Sequence, residues 1–340
     1  MLRVAVFNGV GENMMKCFAC VAGAMLLGPL LAMLSGPASA QPYPTRPVKI
    51  IAPFAAGGLA DVLARSVADR LSKSMGQTFV VENRTGAGGN VGAEVVSRAE
   101  PDGYTLLMSS AGILTINQFL YAKMPFDAAT AFTPVTVVAD MPMVLVVRSD
   151  VAARDLKEFV SLAKSTTGGL FYGSPGSGTT GHLGMELFMV AAGVKLQHVP
   201  YKSAAEAVQS TLAGQTSALF DNPPTIMAQV KAGSLRALGV AAKERMVQLP
   251  NVPTIGEAGL PGFEASSWFG LIAPAKTPKA IVDRLRAEVA AALKEVDMQN
   301  RFAPSGARLV GNTPEQFATL ISEDRARWEK VIFAAGIKLQ

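Results

Sequence analysis

The chain has 340 residues, of which 49% are hydrophobic and 17% charged, a balance that is typical of globular proteins and excludes a disordered chain. The formal net charge is +5, but Lys and Arg are scattered along the chain, which excludes a nucleic-acid-binding patch. A chain of this length predicts about two lobes.

The N-terminus has the features of an export signal. Lys16 is followed by a mostly apolar run over residues 17–34, and then by Ala38-Ser39-Ala40, the small-x-small form that signal peptidase cleaves. We therefore predict a signal peptide over residues 1–40, cleavage after Ala40 and a periplasmic mature protein. An uncleaved membrane anchor is the alternative, because the run approaches the roughly 20 apolar residues that span a bilayer.

Apolar runs and glycine-rich turns alternate along the first part of the predicted mature chain. Strands are predicted over residues 48–52, 79–81 and 104–108. One helix is predicted from Leu59 until Gly76 closes it, and another from the glycine stretch 86–92 to Arg98. In the first helix, apolar residues recur at three- and four-residue steps. This order of strands and helices predicts an α/β fold with a parallel sheet covered on both faces.

A second unit of the same type begins near Met143. Its strands are predicted over 144–147, 170–172, 196–199, 218–220 and 237–241, and its helices over 155–165, 182–192 and 204–213. Two amphipathic helices, 278–294 and 314–334, are predicted to pack back on the first lobe. The predicted division is therefore lobe one over 41–142, lobe two over 143–260 and a return segment of lobe one over 261–340.

Few residues are suited to catalysis or to metal binding. The predicted mature chain has no cysteine, because Cys17 and Cys20 lie in the signal segment, and it has two histidines, His182 and His198. No histidine pair has metal-ligand spacing, the serines of residues 173–178 do not match Gly-x-Ser-x-Gly, and the glycine-rich turns match no nucleotide-binding motif. We predict no enzyme activity, no metal and no cofactor, and we interpret His182 as a helix-start residue whose ring hydrogen-bonds the adjoining loop.

Two strand-to-helix turns, residues 53–61 and 174–182, are rich in glycine and small residues. The first N–H groups of a helix have no helical partner and the helix dipole adds positive potential, so each turn can hold a carboxylate without a basic side chain. Gly57 and Gly58 are predicted as backbone donors beside an apolar wall made by Phe54. In the second turn Ser174, Ser177 and Thr179 add hydroxyl groups. The alternative is that both segments are plain turns.

Two acidic positions have two interpretations each. Asp61 either caps its own helix or accepts a hydrogen bond from a ligand amine or hydroxyl. Asp221 and Asn222 follow a strand end, where open α/β sheets place ligands, but they are equally suited to start the turn before Pro223-Pro224. The residues alone leave both questions open.

Several motifs follow one another along the predicted mature chain. They are Pro53-Phe54 with Gly57-Gly58, Asp61 and Ala64-Arg65; residues 81–84 with 86–89; residues 101–107; residues 198–202; and, later, residues 235–238, 249–254, 261–263 and Trp268. Through these motifs the chain resembles the periplasmic substrate-binding proteins of tripartite tricarboxylate transporters, the Bug or TctC-like family.

The resemblance implies a two-lobe periplasmic-binding-protein fold of the type II-like class, with a cleft that closes on a carboxylate. It implies ligand contacts at Phe54, Gly58, Asp61, Ser109, Ala111, Ser174, Ser177, Gly178 and Thr179, with Tyr201 and Asp221 as outer candidates. The chain departs from the family pattern at Ser203, where the family usually has glycine, and at Ala205, near a frequent family proline. These departures bear on the shape of the loop after Tyr201.

We therefore expect an exported monomer that captures a small organic carboxylate for membrane permease subunits and does no chemistry on it. Docking of the closed form on a membrane sensor kinase is one alternative, and an exported hydrolase acting through Ser174 or Ser177 is another. Amino acids, dicarboxylates, tricarboxylates and aromatic acids all offer the same anchor, so the residues do not choose among them.

Overall fold

The computed structural model describes residues 43–337, so the predicted signal peptide and its cleavage after Ala40 lie outside the described residues. The strands are β1 Val48–Ala52, β2 Phe79–Asn83, β3 Thr105–Ser110, β4 Phe132–Pro142, β5 Val144–Arg148, β6 Leu170–Ser174, β7 Leu196–Pro200, β8 Ala218–Asp221, β9 Leu235–Val240, β10 Ser266–Pro274 and β11 Arg308–Leu309. They form a six-stranded sheet in the order β11-β4-β10-β3-β1-β2 and a five-stranded sheet in the order β7-β6-β8-β5-β9.

Helices cover both sheets. They are α1 Leu59–Met75, α2 Asn90–Ser97, α3 Asn117–Leu120, α4 Leu156–Ser165, α5 Thr180–Ala192, α6 Ala204–Leu212, α7 Pro223–Lys231, α8 Lys279–Ala292, α9 Val296–Phe302 and α10 Pro314–Ala335. A 3₁₀ turn, Ala87–Gly89, precedes α2, a π-helical turn, Gly112–Ile116, precedes α3, and a second 3₁₀ turn, Ala303–Ser305, follows α9. The α/β fold predicted from the sequence is confirmed.

The first sheet is mixed rather than parallel. Strand β1 pairs in parallel with β2 and β3, as predicted. Strand β10 lies between β3 and β4 and is antiparallel to both, and β11 is antiparallel to β4. The prediction of a fully parallel sheet is therefore wrong for this lobe, because β4, β10 and β11 complete the sheet from segments in which no strand was predicted.

The second sheet also contains both parallel and antiparallel strand pairs. Strand β6 pairs in parallel with β7 and β8, whereas β5 is antiparallel to both β8 and β9. All five of its strands coincide with predicted ones to within a few residues. The apolar runs predicted the strands correctly, but they carry no information on strand direction.

The chain changes sheet twice. Strand β4 ends at Pro142 in the first sheet and β5 begins at Val144 in the second. On the return, Phe263 still packs against Phe188 and Phe220 of the second lobe, and β10 then begins at Ser266 in the first sheet. The lobe boundaries at 142/143 and 260/261 stay a prediction.

The helices begin and end where local signals place them. The apolar face of α1 buries Leu63, Val67 and Leu71 against the first sheet, and the helix ends before Gly76 as predicted. Helix α7 was not predicted, because Pro223-Pro224 was interpreted as part of a turn. Proline is instead favoured at the first helical position, where its missing N–H costs nothing, and α7 begins at Pro223.

The two C-terminal helices pack on the first lobe, as predicted. Helix α8 contacts α1 and β4, and α10 contacts β4 and the π-helical turn. Helix α10 also reaches the second lobe, since Trp328 shares a buried cluster with Leu183 of α5 and Ile116 of the π-helical turn. A capping box formed by Thr313 and Gln316 defines the start of α10.

Candidate functional site

A cavity of about 390 Å³ opens among the loops at the ends of strands from both sheets. Its wall is formed by Phe54, Leu59, Ala60, Gly88, Ser110, Ala111, Gly112, Ile116, Asn117, Leu120, Tyr121, Ser177, Gly178, Thr179, Thr180, Asn222, Ser267, Trp268 and Phe269. The volume is in the range of sites that bind small molecules.

No residue of this wall is Asp, Glu, Lys, Arg or His. Its polar side chains are hydroxyls and the amides of Asn117 and Asn222, and much of the remainder is apolar, including Ile116, Leu120 and Trp268. An anion bound here would therefore be balanced by hydrogen-bond donors and helix dipoles rather than by basic side chains.

The first cradle is the turn from β1 into α1. We denote the first three helical residues N1, N2 and N3, the residue before them the N-cap, and the one before that N′. Gly58 is the N-cap in an extended conformation, and Gly57 at N′ has φ +82°, which favours glycine. The N–H of Gly57 donates to Oδ2 of Asp61, the N3 residue, at 2.9 Å. A side chain of α1 thus fixes the turn that precedes this helix.

Asp61 is buried and fully engaged within the protein. Its carboxylate also accepts hydrogen bonds from Nε of Arg65 at 3.1 Å and from Nδ2 of Asn83 at 2.8 Å. Burial by itself raises the pKa of Asp61, but the hydrogen bonds from Arg65, the Gly57 N–H and Asn83, with the charge of Arg65, lower it to about 2. These contacts support the interpretation in which Asp61 caps its own helix.

The second cradle, from β6 into α5, repeats this geometry. Thr179 is the N-cap in an extended conformation, and Gly178 at N′ has φ +78°. The N–H of Gly178 donates to Nδ1 of His182, the N3 residue, at 3.0 Å. The predicted hydrogen bond between the His182 ring and the adjoining loop is confirmed, with the Gly178 N–H as donor and the ring nitrogen as acceptor.

The donors left over in both cradles are the N1 and N2 amides. Among residues 43–337, the N–H groups of Leu59, Ala60, Thr180 and Gly181 have no acceptor, as expected for the first turn of a helix. Leu59, Ala60 and Thr180 line the cavity. Two helix N-termini with free amides therefore contribute residues to the wall of one uncharged cavity, an arrangement that suits a carboxylate.

The sequence-predicted site residues divide into two groups. Five line the cavity: Phe54, Ala111, Ser177, Gly178 and Thr179. The others lie beside or behind that wall: Gly57, Gly58, Asp61, Ser109, Ser174, Tyr201 and Asp221. The amides of Gly57 and Gly178 are bonded to N3 side chains, and the predicted donor Gly58 donates to the Ala55 carbonyl at 3.2 Å, so the free donors are the N1 and N2 amides instead.

Ser174 and Tyr201 contribute to the support of the second cradle. The hydroxyl of Ser174 lies 2.6 Å from Nε2 of His198 and accepts from the N–H of Gly176 at 3.1 Å. The N–H of Tyr201 donates to the Ser174 carbonyl, and its hydroxyl bonds Ser210. A serine beside an imidazole is also the pair a hydrolase uses, but Ser174 is 1% exposed and lies outside the cavity wall.

The end of β3 reaches the cavity one residue later than expected. Ser109 is fully buried and its hydroxyl has no partner among the described residues, whereas Ser110, Ala111 and Gly112 line the cavity. Neighbouring side chains of a strand lie on opposite faces of the sheet. Ser109 therefore lies in the core, and the next residue, Ser110, lies in the cavity wall.

Sequence reasoning missed several wall residues. Asn117 and Tyr121 follow the π-helical turn, and the amide of Asn117 is held by Oδ1 of Asn90 at 2.7 Å. Trp268 and Phe269 come from β10, which was not predicted as a strand. The available signal was a polar pair, Asn117-Gln118, inside the apolar run 113–120. The pair directly follows the π-helical turn, and such turns are frequent at functional sites.

Asp221 and Asn222 lie at the end of β8. Asn222 lines the cavity, and its backbone N–H donates to Oδ1 of Asp221 at 2.7 Å. Oδ2 of Asp221 is buried and has no partner among the described residues. Burial raises the pKa of Asp221 from 3.8 to about 6, against the opposing effect of the Asn222 N–H.

We expect Asp221→Asn to stabilise the protein at neutral pH. Because folding raises the pKa of Asp221 from 3.8 to about 6, its contribution to stability is complete below pH 4 and is lost as the pH rises to about 6. The stability difference between Asp221→Asn and wild type should therefore grow by about 2–3 kcal/mol between pH 4 and pH 7. Urea unfolding at pH 4, 5.5 and 7 measures this difference, and a difference independent of pH would contradict the buried titration.

Comparison with known proteins decides the family. A family model described as the tripartite tricarboxylate transporter family receptor matches residues 63–337. The chain belongs to this family. The resemblance drawn from the sequence motifs is thereby confirmed.

Two curated relatives cover nearly the whole chain. The "UPF0065 protein in tcbD-tcbE intergenic region" of Pseudomonas sp. (strain P51) is 38% identical over 312 residues, which is 91% of this chain and 93% of that protein. Protein BugT of Bordetella pertussis (strain Tohama I) is 36% identical over 310 residues, which is 91% of this chain and 95% of that protein.

Solved structures show the same two-lobe fold. R. palustris Rpa4515 with adipate is 39% identical, with a TM-score of 0.74 over 87% of this chain and 100% of that one. MatC (Rpa3494) from Rhodopseudomonas palustris with bound malate is 34% identical, with a TM-score of 0.70 over 85% and 100%. Periplasmic binding protein BugD is 35% identical, with a TM-score of 0.70 over 87% and 100%. Two of these structures thus hold a bound dicarboxylate, and the third is described as a periplasmic binding protein.

Residues 43–337 contain neither a metal-ligand cluster nor a membrane-spanning helix. No group of three or more His, Cys, Asp or Glu side chains is placed to hold a metal ion. None of the helices in this range has the length and hydropathy needed to cross a membrane.

Proposed function

We propose that this family member is an exported solute-binding protein that captures a small organic carboxylate and delivers it to permease subunits of a tripartite tricarboxylate-type transporter. The observation that carries the proposal is the pair of helix N-termini whose unpaired amides meet one cavity without a charged side chain. The adipate and malate bound in two related structures support a carboxylate as the ligand.

The proposal that the protein is exported rests on the predicted signal peptide. Residues 1–40 have the signal-peptide pattern, with Ala38-Ser39-Ala40 before the proposed mature start at Gln41. Binding in the periplasm and release to a membrane partner require no chemistry on the ligand, only lobe closure that favours the bound form.

We propose different roles for the polar and the apolar groups of the cavity wall. The Leu59, Ala60 and Thr180 amides, with the hydroxyls of Ser110 and Ser177, are proposed to hold the carboxylate. Apolar residues then surround the body of the ligand, and the predicted residues that lie behind the wall hold the cradles in shape.

We expect carboxylic acids, but not their uncharged amides, to stabilise the mature protein. A ligand present at about one hundred times its Kd adds about 2.7 kcal/mol to the free energy of unfolding. Thermal unfolding with adipate against adipamide, and with benzoate against benzamide, compares ligands of matched shape that differ in charge. Malate and glutamate extend the series to polar acids. Equal stabilisation by acid and amide, or none by any acid, would contradict the proposal.

A further inference from the structure

The two cradles have the same backbone design but different N3 acceptors. In lobe one the N′ amide of Gly57 is held by the carboxylate of Asp61, which Arg65 neutralises. In lobe two the N′ amide of Gly178 is held by the imidazole of His182. A carboxylate can accept this bond over the whole neutral range, whereas an imidazole nitrogen accepts only while it is unprotonated.

His182 is packed against a second imidazole. It is 4% exposed, and its ring stacks on that of His198 with centroids 3.9 Å apart and planes 11° from parallel. Nε2 of His182 lies 3.6 Å from Oε1 of Glu186, which also accepts from the Tyr172 hydroxyl at 2.7 Å. Among the described residues, the titratable groups around this ring are Glu186 on the same helix, His198 on β7 and Tyr172 on β6.

The bond from Gly178 selects one form of the His182 ring. Because Nδ1 accepts an N–H, it carries a lone pair, so the ring is neutral and its proton is on Nε2, facing Glu186. A proton added at Nδ1 would face the Gly178 N–H, and the two donors would repel. Gly178 lines the cavity, so a displaced Gly178 changes the shape of the binding wall.

We propose that His182 is a positioning residue of the binding site: its neutral ring holds Gly178 and the free Thr180 amide beside it in place, so carboxylate affinity falls when the ring is protonated. This inference rests on the proposed function. His198 supports the same loop through Ser174, and burial lowers the pKa of His198 to about 4.

Two variants separate positioning from mere packing. In His182→Asn, the side-chain oxygen can take the place of Nδ1 and accept the Gly178 amide, but it does not titrate. In His182→Ala the acceptor is gone. With adipate or malate at pH 7.5, whichever binds wild type more tightly, we expect His182→Asn to bind within about threefold of wild type and His182→Ala to bind at least tenfold more weakly.

The pH profile supplies a readout that a packing role would not move. From pH 8 to pH 5, the Kd of wild type should rise at least threefold more than that of His182→Asn. Titration of the ligand itself is common to both proteins, so it cancels in the ratio. Parallel profiles, or an Ala variant that binds as tightly as wild type, would overturn the proposal.

The tautomer can be tested without a ligand. The chain has two histidines, so ¹⁵N-histidine labelling gives two ring systems, which His198→Gln assigns. At pH 7.5 we expect His182 to be neutral with its proton on Nε2, and a proton on Nδ1 overturns the inference. If no acid binds wild type, the proposed function fails, and this spectrum still decides whether His182 holds Gly178.

Discussion

Replacing Thr180 by proline is expected to weaken carboxylate binding by about 10- to 100-fold while helix α5 stays folded. The substitution removes the N1 amide of Thr180, a residue of the cavity wall whose N–H has no acceptor among the described residues. A hydrogen bond to a charged group contributes about 1.5–3 kcal/mol, and this range corresponds to the stated loss of affinity.

The local backbone accepts proline at this position. Proline is favoured at N1, where its missing N–H breaks no helical bond. The residue before it must be extended, and Thr179 has φ −72° and ψ 161°. The substitution therefore removes a donor without disrupting the helix.

The control is Thr180→Ala, which keeps the amide and loses the hydroxyl, a group that accepts from Ser267 at 3.3 Å. We expect this variant to bind within about threefold of wild type in calorimetric titration, since it loses one neutral hydrogen bond. An ester linkage between residues 179 and 180 removes the N–H without adding a ring and separates the lost bond from steric effects. Tight binding by both the proline and the ester proteins would refute the role of this amide.

The first lobe offers the matching test. Leu59→Pro removes the N1 amide of α1, and Gly58 before it is extended, with φ −70° and ψ 163°. Leu59→Ala controls for the side chain, which also lines the cavity. A loss confined to one of the two proline variants would show that a single cradle holds the carboxylate, while losses in both would show that the ligand bridges the lobes.

Gly270→Ala is expected to destabilise the protein by about 1–3 kcal/mol or more. Gly270 lies in β10, between β3 and β4, and a methyl group there would come within 2.3 Å of Cζ and 2.6 Å of Cε1 of Phe317. Phe317 is fully buried and packs edge-on against Trp268 at 5.3 Å between ring centroids. The added carbon therefore has to displace the buried Phe317 ring, or helix α10 that carries it, from the sheet.

The matched control is Gly256→Ala. A methyl group at Gly256 would meet nothing closer than 3.6 Å, an ordinary contact distance. We expect the control to unfold within about 0.5 kcal/mol of wild type in denaturant. Because each kcal/mol shifts the Tm by roughly 2–4 °C in chains of moderate size, thermal scans should also separate the two variants. Equal stabilities would show that α10 moves away from β10 without cost.

Local sequence signals predicted the elements that depend on local physics. Helix α1 was predicted from its apolar steps, and β1 from a short apolar run that is buried. The strands β4 and β10 were missed, because each becomes a strand through pairing with residues far away in the chain. The backbone N–H and C=O groups of a β-strand form hydrogen bonds with neighbouring strands. The segment itself therefore need not carry a pattern that predicts a strand.

The candidate site shows the same division at finer scale. Both turns were recognisable from Gly57-Gly58 and from the run before His182, because glycines and small residues before a helix are a local signal. The sequence did not show that Asp61 and His182 take up the N′ amides, which moves the free donors to N1 and N2.

Spacing and residue type along the chain were sufficient to predict the α/β class, the two turns before helix N-termini and, through the motifs, the family. The mixed strand order, the uncharged wall shared by both lobes and the use of Ser110 and Asn222 in place of Ser109 and Asp221 became known only from the folded chain. Those features depend on which distant segments pack together, and packing is set by the whole fold rather than by any one segment.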